Sequence, residues 1–113
     1  MLFNNPLPVR LKHARKQANL SQKALGIRIG MDDSSASARM NQYERERHTP
    51  DVKTLKLIAD ELNVPLNYFF CEDEITAELA VNLHKLSNDD KQRVLESTAQ
   101  LIADAIATNK SST

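Results

Sequence analysis

Residues 20–47 read LSQKALGIRIGMDDSSASARMNQYERER, and this stretch decides the fold. It predicts two short helices around a turn at Gly30, since glycine readily adopts the backbone conformation that ends a helix. Ser21 is suited to cap the first helix, because its side-chain oxygen can accept free backbone N–H groups. The second helix ends in polar and cationic residues. The stretch therefore indicates a helix pair whose second member presents a polar, basic surface.

The 113-residue chain has zero formal net charge, but its charges are unevenly distributed. Residues 1–50 carry nine Lys or Arg against four acidic residues, and residues 51–113 carry six against eleven. The first half is therefore basic enough to meet phosphates while the acidic second half faces away. A hydrophobic content of 41% supports a modest core, so we expect one domain, alone or with an appendage.

Composition also disfavours several functional classes. The single cysteine, Cys71, excludes an intramolecular disulfide, and the three histidines lack metal-ligand spacing. No apolar run approaches the roughly 20 residues needed to cross a bilayer, and the first residues do not resemble a signal peptide. We therefore expect a cytoplasmic protein that is not an enzyme and that uses no cofactor, metal or membrane.

Apolar spacing predicts an all-α chain with five short helices in a domain over residues 9–71. Residues 1–8 are expected to form an N-terminal arm and residues 72–113 a C-terminal helical extension. The first helix is predicted to start at Val9 and to end at Asn19, because Asn tolerates a left-handed backbone. The third is predicted to start near Asp32, Asp33 and Ser34, which are all suited to capping.

The inward face of each helix follows from residues three or four positions apart. Asn63 and Pro65 break the chain after the fourth helix, and residues 66–70 are expected to close the core as a short fifth helix. The predicted core residues are Leu11, Ala14 and Ala18, then Leu25 and Ile29, then Ala36, Met40 and Tyr43, and finally Leu55, Ile58, Ala59 and Leu62.

The outer face of the third helix carries side chains that can read bases. Gln and Asn can bond adenine bidentately, Arg can bond guanine, and Ala can touch the methyl group of thymine. A polar face that only keeps the protein soluble is the alternative interpretation. The lack of carboxylates among many cations favours double-stranded DNA as the partner. The outward residues are Ser35, Ser37, Ala38, Arg39, Asn41 and Gln42.

Other residues are suited to bind the DNA backbone. Gln22 lies in the first turn of the second helix, where free N–H groups and the helix dipole favour a phosphate. Arg45, Arg47 and His48 follow the third helix, where cations would contribute affinity without sequence choice. The alternative for each is an ordinary solvated residue. The basic first half of the chain favours phosphate contacts at these four positions.

Taken in order, these motifs resemble the Cro/cI-type (lambda-repressor-like, or XRE) helix-turn-helix domain over residues 10–70. In that family Ser37, Ala38, Arg39 and Gln42 match the base-reading positions. The matching elements are Arg-Leu-x-x-Ala-Arg at residues 10–15, Leu20-Ser21-Gln22, Leu25, Gly30, Tyr43-Glu44-Arg45, Thr49-Pro50, the apolar positions of the fourth helix, and Val64-Pro65-Leu66.

The resemblance also implies a structural ion pair, and it contains one departure. Arg15 and Glu44 match positions that join the first helix to the end of the third, so neither is expected to contact DNA. The segment from Met31 to Ser37 is about one helical turn longer than the family's usual pattern. Two alternatives stay open here: the third helix starts a turn early, or the turn is a longer loop.

The extension predicts two amphipathic helices. Ile75, Leu79, Leu83 and Leu86 line the first, and Leu95, Ala99, Ile102 and Ile106 line the second, widened by Val94, Leu101 and Ala105. An apolar stripe this wide normally buries against something, either the chain's own domain or a second copy. A second copy suits this family because dimers read two-fold sites. We therefore expect dimerisation through Leu95, Ala99, Ile102 and Ile106.

The resemblance implies a sequence-specific DNA-binding regulator, a repressor that binds a two-fold operator as a homodimer. An alternative is an antitoxin-like protein whose C-terminal helices bind a protein partner. A second is a helical interaction module that has lost DNA binding. Salt-dependent retention on DNA separates this last class from the first.

Overall fold

The computed structural model describes residues 3–111, and every regular element within them is helical. The domain and the two-helix extension together confirm the all-α prediction. The elements are α1 (Leu7–Gln17), α2 (Gln22–Arg28), α3 (Ala36–Glu44), α4 (Val52–Leu62), a 3₁₀ helix (Leu66–Phe70), α5 (Glu74–His84) and α6 (Asn88–Ser111). None of the helices within residues 3–111 has the length and apolarity needed to span a bilayer.

The core lies where the first four helices meet the 3₁₀ helix. The predicted inward residues of α3 and α4 are all buried, whereas Ala18, just after α1, is exposed and Ile29, just after α2, is only partly buried. The largest fully buried side chains are Phe69, Leu11, Leu25, Met40, Leu55 and Ile58.

The four helices of the domain end in the same way, with one residue in the left-handed region. These residues are Asn19 (φ 58°), Gly30 (φ 97°), Glu46 (φ 60°) and Asn63 (φ 56°). After each of them a backbone N–H turns back to the last helical turn; that of Arg47, for example, bonds the Gln42 carbonyl at 2.9 Å. This arrangement satisfies carbonyls that would otherwise lack partners, and it lets short helices change direction sharply.

Helix α1 begins at Leu7, two residues before the predicted start. The last two residues of the predicted arm over residues 1–8 therefore belong to α1. Pro8 stands in the first turn, where its missing N–H costs no hydrogen bond. Leu7 and Pro8 are buried, and the Asn5 side chain accepts the N–H of Leu7 at 3.1 Å. Residues 1 and 2 of the arm lie outside the described residues.

Helix α3 begins at Ala36, so the start near Asp32–Ser34 was wrong and the turn is the longer loop. Ser35 has a φ of −120°, which is not helical. The loop connects two helices that pack closely at Gly26 of α2 and Ala36 of α3. A Cβ added at Gly26 would lie only 2.8 Å from the Ala36 Cβ. An ion pair of 3.5 Å between Asp33 and Lys23 holds the loop on α2.

The extension joins the domain through α5. Its packed face carries small residues, Ala77 and Ala80, while Ile75, Leu79 and Leu83 are exposed. The Asp73 side chain caps α5, and the hydrogen bond from the Thr76 backbone N–H lowers the pKa of that carboxyl.

Arg10 links α5 to α1. It is not among the core residues predicted from the sequence, yet it is only 4% exposed. Its Nε donates to the Cys71 carbonyl at 3.0 Å and its Nη1 to Glu74 at 2.8 Å. The guanidinium also lies 5.9 Å from the centre of the Tyr68 ring, whose pKa is raised by burial.

Helix α6 extends away from the rest of the molecule. Its 24 residues span about 36 Å at 1.5 Å per residue. None of its residues over 88–110 is buried, and Leu95, Ile102 and Ile106 are 60%, 57% and 50% exposed. Of the two alternatives for its apolar stripe, packing on the chain's own domain is therefore not the one adopted.

A buried ion pair fixes the helix-turn-helix on α1. Arg15 and Glu44 form the pair implied by the resemblance, with Nε–Oε2 at 2.6 Å and Nη2–Oε1 at 3.0 Å. Their side chains are only 10% and 3% exposed. Arg15 Nη1 also donates to the Leu20 carbonyl at 2.8 Å, and Gln22 Nε2 donates to Glu44 Oε1 at 3.2 Å. The Glu44 carboxylate thus joins the end of α1, the start of α2 and the end of α3.

Removing either member of this pair should destabilise the fold strongly. Arg15→Met or Glu44→Gln leaves a buried charge without its partner, which costs roughly 3–5 kcal/mol of unfolding free energy. The double variant should lose less than the sum of the two. Urea unfolding measures all three, and Arg93→Met is the control, because its pair with Asp90 is exposed and worth at most about 1 kcal/mol. A double-mutant cycle without coupling energy would contradict this assignment.

Candidate nucleic-acid interface

The outer face of α3 is accessible, as a base-reading surface must be. Ser37, Ala38 and Arg39 are exposed, and Gln42 is half-buried. They lie opposite Met40, which with the other inward residues of α3 anchors the helix in the core. The structure thus brings the four predicted base-reading residues to one surface, while their role in reading bases stays a prediction.

Arg45, Arg47 and His48 lie at the edge of this surface. All three are exposed, and they follow the left-handed residue Glu46, which turns the chain back beside the end of α3. The backbone N–H groups of Arg47 and His48 bond the Gln42 carbonyl at 2.9 and 3.4 Å. The three side chains are therefore carried by a defined turn next to the predicted base-reading residues.

The arginines on and just after α3 differ from the other arginines of the basic half in their ion pairing. Within residues 3–111, Arg39, Arg45 and Arg47 take part in no ion pair and are exposed. Four other cations of the basic half are paired with carboxylates of the chain. Lys12 and Lys16 of α1 likewise form no ion pair within residues 3–111, so three of the five unpaired cations of the basic half lie on or just after α3. The paired cations are Arg10, Arg15, Lys23 and Arg28, with Glu74, Glu44, Asp33 and Glu61.

A surface depression of about 400 Å³ lies between the end of α3 and the start of α4. Its lining includes Arg39, Gln42 and His48, together with Thr49 and Thr54. Neither threonine was among the residues predicted from the sequence to contact DNA. The short connection between α3 and α4 was the available signal, because it forces the start of α4 to lie beside the end of α3.

An acidic cap occupies the start of α4. The Asp51 side chain accepts the Thr54 backbone N–H at 2.7 Å, and this hydrogen bond lowers the pKa of the carboxyl. Asp51 therefore stays ionised at neutral pH, and the Thr54 N–H that it accepts is not available to a phosphate. A phosphate at the depression would have to be held by the cations and hydroxyl groups around it.

Gln22 does not present a free donor to solvent, in contrast to the role considered from the sequence. Its Nε2 donates to Asn41 Oδ1 and to Glu44 Oε1, both at 3.2 Å. An amide nitrogen has two hydrogens, so both have partners within the protein. The Ser21 side chain meanwhile accepts the Ala24 N–H at 3.0 Å. A phosphate contact through the Gln22 side chain would require one of its hydrogen bonds to be exchanged.

Among residues 3–111, no group of three or more His, Cys, Asp or Glu is arranged to hold a metal ion. Cys71 is buried, and its thiol donates to the Asn67 carbonyl at 3.3 Å.

The chain matches a family model, a protein of known structure and a curated relative. The helix-turn-helix family model matches residues 11–69, which is most of the domain and just over half of the chain. The transcriptional regulator BswR, of known crystal structure, is 46% identical with a TM-score of 0.79, over 87% of this chain and 97% of that one.

A curated relative is the HTH-type transcriptional regulator ImmR of Bacillus subtilis (strain 168). It is 30% identical over 74 residues, which cover 66% of this chain. The match spans 55% of the relative's length. With the family model matched from α1 to the 3₁₀ helix, the chain belongs to the XRE-type helix-turn-helix family of transcriptional regulators.

Proposed function

We propose that this protein represses transcription by binding a two-fold operator as a homodimer. The observation that carries the proposal is the outer face of α3. It is accessible and free of carboxylates, and it is bordered by arginines that form no ion pair within residues 3–111. A protein of this kind works where the DNA is, so we place it in the cytoplasm.

Sequence choice is assigned to α3 in the major groove. Gln42 can bond adenine bidentately and Arg39 can bond guanine, while Ser37 and Ala38 contact base edges or the methyl group of thymine. The Glu44 network supports this assignment, because a helix held to two neighbours by a buried carboxylate is rigid enough to present these side chains in one orientation.

We assign most of the binding affinity to contacts with the phosphates of the DNA backbone. Arg45, Arg47 and His48 are exposed beside the reading surface and can neutralise phosphates. At Gln22 a phosphate would be met first by backbone N–H groups in the first turn of α2, because the side-chain donors already have partners. These contacts position the protein on the duplex and do not discriminate between sequences.

Homodimerisation is assigned to α6. Leu95, Ala99, Ile102 and Ile106 form a continuous exposed stripe on a helix that packs little on its own chain. Exposed apolar surface of this extent marks an association site. The same stripe could bind a different protein, as in the antitoxin-like alternative. A dimer of the purified chain favours the first assignment, and a monomer favours the second.

Gln42→Ala tests base reading. It should weaken binding to the cognate site by about 1–3 kcal/mol per half-site and leave binding to random DNA nearly unchanged, because a base contact carries discrimination. Fluorescence anisotropy on both DNAs measures the two affinities. Gln17→Ala, the same change at the exposed end of α1, is the control and should alter neither. Equal losses on cognate and random DNA would show that Gln42 does not read bases.

Arg45→Ala and Arg47→Ala test the phosphate contacts. Each should weaken binding to every sequence and reduce the steepness of log K against log salt by about one per lost phosphate contact, which is about two for a homodimer that carries the change in both copies. A salt titration of binding measures the slope. Lys56→Ala removes an equal charge from α4, where it pairs with Asp60, and should leave the slope unchanged. Slopes equal to that of the original protein in both arginine variants would contradict the assignment.

A further inference from the structure

The apolar stripe of α6 has a spacing that reads the same in both directions. Leu95, Ala99, Ile102 and Ile106 are separated by four, three and four residues. Two copies of α6 lying antiparallel can therefore bring Leu95 opposite Ile106 of the second copy, and Ala99 opposite Ile102, in a single register. A two-fold axis between residues 100 and 101 relates the halves of such a pair.

Side-chain volume favours this antiparallel register over a parallel one. Antiparallel pairing sets the small Ala99 against the large Ile102 in both central layers. Parallel pairing would set Ala99 against Ala99 and leave a gap, and it would set Ile102 against Ile102 in the next layer. Close-packed interfaces alternate small and large residues, so the antiparallel pair fills space more evenly.

The charges at the ends of α6 point the same way. Its first turn is acidic, with Asp89 and Asp90, and its last turn is basic, with Lys110. Antiparallel pairing places the acidic end of one helix beside the basic end of the other. The two helix dipoles are also opposed in this arrangement, which is their more favourable relative orientation. Parallel pairing would place ends of like charge side by side.

We propose that α6 pairs antiparallel with α6 of a second copy, with residues 100 and 101 at the two-fold axis. The proposal rests on the homodimer proposed above and adds the orientation and register of its interface. The heptad pattern continues to Gln92 on one side and Asn109 on the other. These two amides then lie opposite one another at both ends of the seam, where polar residues can fix the register.

Disulfide trapping in the full chain distinguishes the two orientations. Single cysteines are introduced by Gln92→Cys and by Asn109→Cys in a Cys71→Ser background. In the antiparallel register Gln92 lies beside Asn109 of the second copy, and the two Gln92 positions are about 25 Å apart along the helices. A disulfide requires Cα atoms within about 7 Å. Oxidation of the co-folded mixture should therefore give a linked dimer, and each variant alone should stay unlinked.

A matched control uses Ser97→Cys mixed with Asp104→Cys, which share the register but face away from the seam, and no linked dimer is expected. Linking of Gln92→Cys alone and of Asn109→Cys alone would overturn the proposal in favour of a parallel pair. Sedimentation of the unoxidised variants separates two further outcomes. A dimer that links in no combination overturns the register and leaves the homodimer intact. A monomer overturns both the register and the homodimer.

Discussion

The buried carboxylate of Glu44 is the constraint on which the reading surface depends. It accepts hydrogen bonds from Arg15 at the end of α1 and from Gln22 at the start of α2, while its own backbone ends α3. A buried carboxylate is stable only when its charge is compensated, so the three helices can pack only in the arrangement that brings these donors together. The geometry of the helix-turn-helix is thus set at a site that itself need not touch DNA.

Charge is divided between structure and recognition. Arg10, Arg15 and Arg28 form ion pairs within the fold, whereas Arg39, Arg45 and Arg47 around α3 form none with residues 3–111. The outer face of α3 could be predicted from the sequence, because helical periodicity alone decides which side chains face outward. Which arginines form ion pairs could not be predicted, because an ion pair depends on contacts between residues that are distant in sequence. Gln22 illustrates this difference, since its first-turn position was evident but its hydrogen bonds to Asn41 and Glu44 were not.

The fold itself was predictable where a residue's own conformational preference decides. Asn19 and Gly30 tolerate a left-handed backbone, and they end α1 and α2 as expected. Glu46 has no such preference, so its left-handed conformation in the turn after α3 could not be predicted from the residue itself. Tertiary contacts override local signals elsewhere. Asp32, Asp33 and Ser34 are all suited to cap α3, yet the helix starts later, at Ala36. Ala36 is the residue that packs closely against Gly26 of α2. The burial of Arg10 likewise depends on Glu74, far away in sequence.

Selection of bound sequences from a random DNA pool tests the central claim most directly, since it examines reading and two-fold symmetry together. The full chain is incubated with the pool at near-physiological salt, and the retained duplexes are sequenced over several rounds. We predict enrichment of an inverted repeat whose two half-sites share one sequence at a fixed separation. A pool that stays random, or that converges on a site without two-fold symmetry, would contradict the claim that a homodimer reads DNA through α3.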